Sequence, residues 1–115
     1  FGDVRDRLCT YEAKFDADST ACRKIRSRIP ARLSADEHAA LEAACRTAYR
    51  VGGCRDYGRI DVRERDGRLY VLDVNANADL SADASIALAA LKAGFCYGAL
   101  GSRLVEWAQN RAPHQ

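Results

Sequence analysis

The most regular hydrophobic pattern in the chain follows Ser34. Apolar residues recur there at helical spacing, and Gly52-Gly53 ends the run. Ser34 and Glu37 have the spacing of a capping box, in which the serine oxygen accepts the free N–H at Glu37 and the glutamate reaches back. The pattern therefore predicts a helix over residues 35–51. Its predicted core-facing residues are Leu41, Ala44, Cys45, Ala48 and Val51.

Two later segments, 57–64 and 69–75, alternate in the manner of strands and are joined around Asp66-Gly67. In an antiparallel pair, the residue numbers of any two facing residues add up to the same value, the index sum. Residues at even positions on both strands therefore share a face only if the index sum is even. An even sum favours the three-residue loop 65–67 over a two-residue Asp-Gly turn. The apolar face then holds Ile60, Val62, Tyr70, Leu72 and Val74, and the other face holds Arg59, Asp61, Arg63, Asp73 and Asn75.

The remaining patterns are weaker. Residues 8–15 are expected to form a strand and residues 16–19 a turn. A helix capped by Ser81 or Asp83 is expected to run to Gly94, and a last helix from Tyr97 to Gln109. The last helix has four candidate core residues: Leu100, Leu104, Val105 and Trp107. Together the elements predict an α+β fold, one unit over residues 1–115, with three helices packed on the apolar face of an antiparallel sheet.

Composition and charge narrow the class of protein. The 115 residues contain 18 Lys and Arg against 16 Asp and Glu, and the resulting net charge of +2 is too small to imply a polyanionic partner by itself. The arginine-rich segment 23–32 has no interleaved aromatic residue and is flanked by acids, so a nucleic-acid partner is not expected. No apolar run approaches the length of a membrane span. The chain starts at Phe1 and has no methionine, so we interpret it as a piece of a longer protein.

The five cysteines have no C-x-x-C spacing, which argues against a zinc site or a redox motif. Their apolar neighbours are typical of reduced core thiols, and such thiols favour a cytoplasmic protein.

The polar face of the predicted hairpin carries the candidate chemistry. Asp61, Asp73 and Asn75 offer hard oxygen ligands of the kind that Mg²⁺ binds together with phosphate oxygens and water. Arg59 lies beside them. The alternative is a solvated strand face on which arginines simply neutralise the aspartates.

Four segments, taken in order, resemble the ATP-grasp carboxylate-amine ligases, and among them the D-alanine-D-alanine ligase-like group. They are Tyr-Glu-Ala-Lys-Phe at 11–15, Tyr-Gly-Arg-Ile-Asp-Val at 57–62, Tyr-Val-Leu-Asp-Val-Asn at 70–75 and Asn-Ala-Asp-Leu-Ser at 77–81. The resemblance covers about residues 8–108 and implies the C-terminal ATP-grasp subdomain. Its implied activity is ATP-dependent joining of a carboxylate to an amine through an acyl phosphate, with ATP and Mg²⁺ as cofactors.

The resemblance also implies roles for individual residues. Asp61, Asp73 and Asn75 are expected to hold Mg²⁺, and Arg59 to stabilise the transferred phosphoryl group. Lys14 is expected near the phosphates, and Leu72 against the adenine. Ser81 or Ser85 is expected to meet the carboxylate of the second substrate. The preceding subdomain is expected to supply the rest of the nucleotide clamp, so the isolated piece should be inactive.

Three departures from the family pattern keep other functions open. Asp73 stands where glutamate is usual, and Ala76 and Ala78 stand where relatives often have proline. The Pro-Gly that D-alanine ligases tend to carry after the asparagine is absent. The alternatives are a non-catalytic relative or binding module with the same fold, and a ligase for a different amino acid or peptide.

Overall fold

The structure is a computed structural model that describes residues 28–111 together with residues 16, 18–20 and 23. Its helices and strands follow in the order α1 (Ala35–Val51), β1 (Arg59–Arg65), β2 (Arg68–Asn75), α2 (Ser85–Lys92) and α3 (Tyr97–Gln109). β1 and β2 form a two-stranded antiparallel sheet, which confirms the α+β class. The strand predicted for residues 8–15, including Lys14, lies outside the described residues.

Helix α1 begins at the predicted capping box. The Glu37 N–H donates to Ser34 Oγ at 3.3 Å, and the Ser34 N–H donates to Glu37 Oε2 at 2.7 Å. The bond from the Ser34 N–H stabilises the carboxylate and is the main cause that lowers the pKa of Glu37, and the Ser34 side chain adds to this effect. The predicted helix is confirmed, and four of its five predicted core residues are half-buried.

Val51 is the exception, with 84% of its surface exposed, so its prediction as a core residue is wrong. The contact at this end of α1 is made by Gly52. A Cβ built on Gly52 would lie 2.5 Å from Val74 Cγ1, so the bare backbone of Gly52 packs against β2. The last helical residue is thereby turned to solvent.

The hairpin has a two-residue turn, and the predicted three-residue loop is wrong. Arg65 pairs with Arg68, and both residues between them have positive φ: 53° for Asp66 and 74° for Gly67. This is the geometry of the tight Asp-Gly turn, whose twist matches that of the strands. The register changes between Asp61 and Val62, since Asp61 pairs with Asp73 but Val62 pairs with Val71.

Leu72 is therefore the extra residue of a β-bulge. The index sum is 133 between the bulge and the turn and 134 beyond it. The even index sum that was predicted is found for Asp61 and Asp73. Near the turn the sum is odd, because the bulge shifts it by one.

The bulge also changes which side chains face α1. Val62 and Leu69 line a pocket with Leu41, so they lie on the helix side. Leu72 and Tyr70 lie on the opposite side, beside Arg63, and are 64% and 47% exposed. Their prediction as members of the apolar face is wrong.

Helices α2 and α3 pack mainly against each other. The angle between their axes is 102°. Among the described residues, neither of them contacts the sheet as extensively as the two helices contact each other. Helix α3 has its predicted bounds, but α2 starts at Ser85, after Ala84, without a side-chain cap. Neither Ser81 nor Asp83 is its N-cap, because residues 81–84 form a separate turn closed by the Ala84 N–H and the Ser81 carbonyl.

Burial in the described residues is limited. Only Cys54, Ala78 and Ala87 are buried there, and they keep 8%, 4% and 5% of their surface exposed. Val105 and Trp107 are 57% and 47% exposed, so their prediction as core residues is wrong. The face of α3 that packs near Leu80 is formed by Leu100 and Leu104 instead.

Cys54 and Cys45 are buried and half-buried free thiols, whereas Cys96 is exposed at the start of α3. The expectation of core thiols is wrong for Cys96, because residue 96 precedes the first turn of α3 and lies in the exposed connection from α2.

Among the described residues, no single helix has the length and hydropathy needed to cross a membrane. Helices α2 and α3 meet that test only when they are taken together as one bent pair.

Two glycine-to-alanine changes test the close approach of α1 to β2. Gly52→Ala forces Val74 or the helix end to move, so we expect destabilisation by about 1–3 kcal/mol. Gly101→Ala, inside α3 with nothing within 4 Å of the added Cβ, is the matched control and should stabilise by about 0.5–1 kcal/mol. Urea unfolding measures both. Equal effects of the two substitutions would contradict the packing of Gly52 on Val74.

Alanine substitution of Leu72 tests the bulge. Since Leu72 points away from α1, we expect Leu72→Ala to change the free energy of unfolding by less than about 0.5 kcal/mol. Leu41→Ala, on the half-buried side of α1, should cost about 2 kcal/mol or more. A cost for Leu72→Ala as large as that for Leu41→Ala in urea unfolding would show that Leu72 faces the helix.

Candidate metal and nucleotide site

The sheet register brings four polar residues together on the face opposite α1. Asp61 pairs directly with Asp73, and Arg59 pairs with Asn75, two residues along each strand. Facing residues in an antiparallel pair have Cα atoms about 4.5–5.5 Å apart, so Asp61 and Asp73 are direct neighbours on one face of the sheet. The cluster lies at the end of the hairpin away from the Asp66-Gly67 turn.

Arg59 offsets the repulsion between the two carboxylates. Its Nε donates to Asp61 Oδ1 at 2.8 Å and its Nη2 to Asp61 Oδ2 at 3.1 Å, a bidentate pair. The hydrogen bond to Asp61 raises the pKa of Arg59, and the charges of Asp61 and Asp73 add to this effect against partial desolvation. The side chains of Arg59 and Asp61 are 38% and 43% exposed, so the pair is open to an incoming ligand.

Asn75 ends β2 with its amide oxygen already oriented. Asn75 Oδ1 accepts the N–H of Asn77 at 3.0 Å, a local turn typical of asparagine. The Tyr57 hydroxyl donates to Asn77 Oδ1, also at 3.0 Å. An amide oxygen has two lone pairs, so Asn75 Oδ1 keeps one acceptor position beyond the bond to Asn77.

The donor set fits Mg²⁺. The described residues contain no group of three or more His, Cys, Asp or Glu side chains arranged for a metal. Asp61, Asp73 and Asn75 instead offer two carboxylates and one amide. Mg²⁺ is usually held by one or two carboxylates and completes its octahedral coordination with water and phosphate oxygens.

Leu72 and Tyr70 extend the site face toward the turn. They line a shallow depression with Arg63, Arg65 and Asp66. The bulge puts Leu72 immediately beside Asp73 on this face. An exposed leucine and an exposed tyrosine next to arginines offer an apolar surface with positive charge at its edge, which suits a nucleotide.

The two predicted substrate-binding serines lie in different settings. Ser81 donates its hydroxyl to Asp79 Oδ1 at 2.6 Å, and its N–H donates to the same oxygen at 2.8 Å. Ser85 is the exposed first residue of α2. The Ser81 hydroxyl is therefore committed to a carboxylate of this chain, whereas Ser85 lies in the first turn of a helix. Lys14 lies outside the described residues.

Tyr57 and Asn77 contact the site, although the pattern analysis assigned them no role. Their bond joins residues 20 apart in sequence, which no local pattern reveals. The Asn-x-Asn-x-Asp spacing over 75–79 was the available signal. Asn75 and Asp79 each accept the N–H two residues ahead, as asparagine and aspartate commonly do in turns.

Comparison with known families identifies the family of the chain. A family model described as the D-ala D-ala ligase C-terminus matches residues 3–106. The chain belongs to this family. Its fold is accordingly that of the C-terminal ATP-grasp subdomain, as the resemblance of its motifs implied.

Individual relatives of this D-ala D-ala ligase C-terminus chain are longer proteins. A D-alanine–D-alanine ligase of Marinobacter nauticus is 34% identical over 96 residues, covering 83% of this chain and 28% of its own length. One from Chromohalobacter salexigens is 34% identical over 105 residues, covering 90% and 32%. An uncharacterized protein of Sinorhizobium fredii, y4sG, is 35% identical over 115 residues, covering 96% and 32%. The chain thus spans about a third of the length of these relatives. No solved structure matches it significantly.

Titration of Asp79 tests the contact with Ser81. The two hydrogen bonds from Ser81 lower the pKa of Asp79, the hydroxyl contributing more than the N–H. Ser81→Ala removes the hydroxyl and keeps the N–H, so the pKa of Asp79 should rise toward its ordinary value without reaching it. Carbon-13 NMR titration of the Asp79 carboxyl measures the change, with Ser85→Ala as the control that leaves it unchanged. An unaltered pKa in Ser81→Ala would contradict the contact.

Proposed function

We propose that the full-length protein carrying this chain is an ATP-dependent ligase that joins a carboxylate to an amine through an acyl phosphate. We propose that these residues form part of its Mg-ATP site. The observation that carries the proposal is the register that sets Asp61 against Asp73 and Arg59 against Asn75. The names of two relatives support ligase activity.

In this proposal Asp61, Asp73 and Asn75 would hold Mg²⁺. When bound, the ion would supply charge neutralisation for the phosphates of ATP during transfer of the γ-phosphoryl group to the substrate carboxylate. Asp73 is one methylene shorter than glutamate, and its position across from Asp61 still leaves both carboxylates on the same face. Leu72, exposed beside Asp73, packs on the adenine.

Arg59 is the proposed catalytic residue. Its guanidinium already makes two bonds to Asp61, which fix its direction before substrate binds. The raised pKa keeps it charged throughout the reaction. A preorganised cation stabilises the phosphoryl group in transfer. It then stabilises the tetrahedral species that forms when the amine attacks the acyl phosphate and that collapses with loss of phosphate.

Lys14 of this chain is proposed to lie near the phosphates. The preceding subdomain of the full-length protein is proposed to supply the remainder of the nucleotide clamp. Ser85 is the better supported contact for the second substrate's carboxylate, because the Ser81 hydroxyl already bonds to Asp79. D-alanine is the first amino acid to test, since two relatives are named for it. A cytoplasmic location is proposed on the free thiols of Cys45 and Cys54.

Asparagine substitution of Asp61 in the full-length protein tests this function. Asp61→Asn removes one of two carboxylates and the partner of Arg59, so we expect ADP release with Mg-ATP and D-alanine or other amino acids to fall about 100-fold or more. The binding of Mn²⁺ in the presence of ADP should weaken in parallel. Asp36→Asn, at an exposed position in the first turn of α1, is the matched control and should leave both quantities unchanged.

Each alternative has its own outcome. Unchanged turnover in Asp61→Asn would contradict the metal site. Tight Mg-nucleotide binding without turnover on any amino acid would support a non-catalytic relative. The 115-residue chain alone should release no ADP, and a rate equal to that of the full-length protein would contradict a clamp shared with other residues.

A further inference from the structure

The orientation of Asn75 depends on the segment that follows it. Asn75 is the last residue of β2 and pairs with Arg59, the first residue of β1. The sheet does not continue past this pair. The Asn77 N–H bonds to Asn75 Oδ1 and thereby directs the other lone pair of that oxygen. Whatever holds residue 77 in place therefore also sets the direction of the Asn75 amide.

Tyr57 holds Asn77 from outside this loop. It is half-buried, two residues before β1, and its hydroxyl donates to Asn77 Oδ1 at 3.0 Å. Asn77 itself is exposed, and the neighbouring Ala76 brings no polar side chain to the loop. The bond from Tyr57 thus links the loop after β2 to the segment before β1.

The tyrosine is well anchored. Its N–H bonds to the Arg55 carbonyl at 2.6 Å, and Arg55 and Tyr57 form a small bridge. The following Gly58 lies against buried Cys54 and against the Asn75 backbone. A Cβ on Gly58 would be 3.1 Å from Cys54 Sγ and 3.5 Å from the Asn75 carbonyl oxygen. The hydroxyl is consequently carried by backbone that packs on the end of β2.

We propose that Tyr57 is a positioning residue for the metal site, acting through Asn77 to aim the Asn75 amide oxygen at the cation. This inference rests on the proposed function, because it takes Asn75 as a ligand. Groups that orient a metal ligand commonly change metal affinity by about 10–100-fold when removed. A phenol is suited to this task, since its rigid ring carries one hydroxyl donor at a fixed distance from the backbone.

The experiment measures metal binding directly. Free Mn²⁺ is quantified by electron paramagnetic resonance in the full-length protein with ADP present. Tyr57→Phe keeps the ring and removes the donor, and we expect the Mn²⁺ dissociation constant to rise about 10-fold. Tyr49→Phe, which removes a hydroxyl from a half-buried tyrosine of α1, is the matched control and should bind as the unsubstituted protein does.

A double-mutant cycle separates positioning from a general loss of structure. Asn77→Leu removes the acceptor at an exposed position and keeps the backbone N–H, so it should weaken Mn²⁺ binding as Tyr57→Phe does. The double variant Tyr57→Phe/Asn77→Leu should be no weaker than Asn77→Leu alone. Asn77→Asp keeps an acceptor for Tyr57 and should bind more tightly than Asn77→Leu.

The outcomes distinguish this inference from the function on which it rests. If Asp61→Asn loses Mn²⁺ binding while Tyr57→Phe and Asn77→Leu bind within twofold of the unsubstituted protein, the positioning role is wrong and the proposed function stands. Strictly additive effects of Tyr57→Phe and Asn77→Leu would also overturn it. If Asp61→Asn keeps full Mn²⁺ affinity, the proposed metal site is wrong, and the role of Tyr57 is wrong with it.

Discussion

The register of the β1–β2 hairpin is the constraint on which the rest of the structure depends. A regular ladder continued from the two-residue turn would set Asp73 opposite Ile60, on the side of the sheet that packs against α1. Placing a carboxylate there without a partner is costly, because a charge removed from water loses several kcal/mol of hydration. The bulge at Leu72 leaves one residue unpaired and returns Asp73 to the same face as Asp61. One local irregularity thus separates an apolar side from a charged side.

The charged side is balanced within itself. Two facing aspartates would repel each other, and Arg59 offsets that repulsion with a bidentate bond to Asp61. The same arginine is open to solvent, with more than a third of its side chain exposed. The cluster therefore balances its charges without a deeply buried ion pair. Tyr57, Asn77 and Asn75 continue the network into the loop after β2.

The apolar side holds the hairpin through few contacts. Helix α1 lies on it with a row of half-buried residues, and Gly52 brings the helix end against Val74. The membership of this chain in the D-ala D-ala ligase C-terminus family is consistent with such a subdomain, whose relatives are about three times as long. A small core is expected of so short a chain.

Local patterns were sufficient for the helices and the strands. The capping box at Ser34 and Glu37 fixed the start of α1, because both of its hydrogen bonds are made within four residues. Alternation identified both strands, and the order of the motifs indicated the family. Parity also predicted one face for Asp61 and Asp73, but from a three-residue loop that the hairpin does not have, and the bulge produces the shared face instead.

What the sequence could not determine was decided by contacts between distant residues. The bulge at Leu72 is favoured by two constraints: the turn sets the pairing of the strands, and α1 packs on one face of the sheet. Both constraints operate together only in the folded protein. Trp107 has helical spacing typical of a core residue, yet the packing of α2 on α3 leaves it exposed. The bond from Tyr57 to Asn77 spans 20 residues. Periodicity reports which residues share a face of one element, whereas the partner of that face is set by tertiary packing.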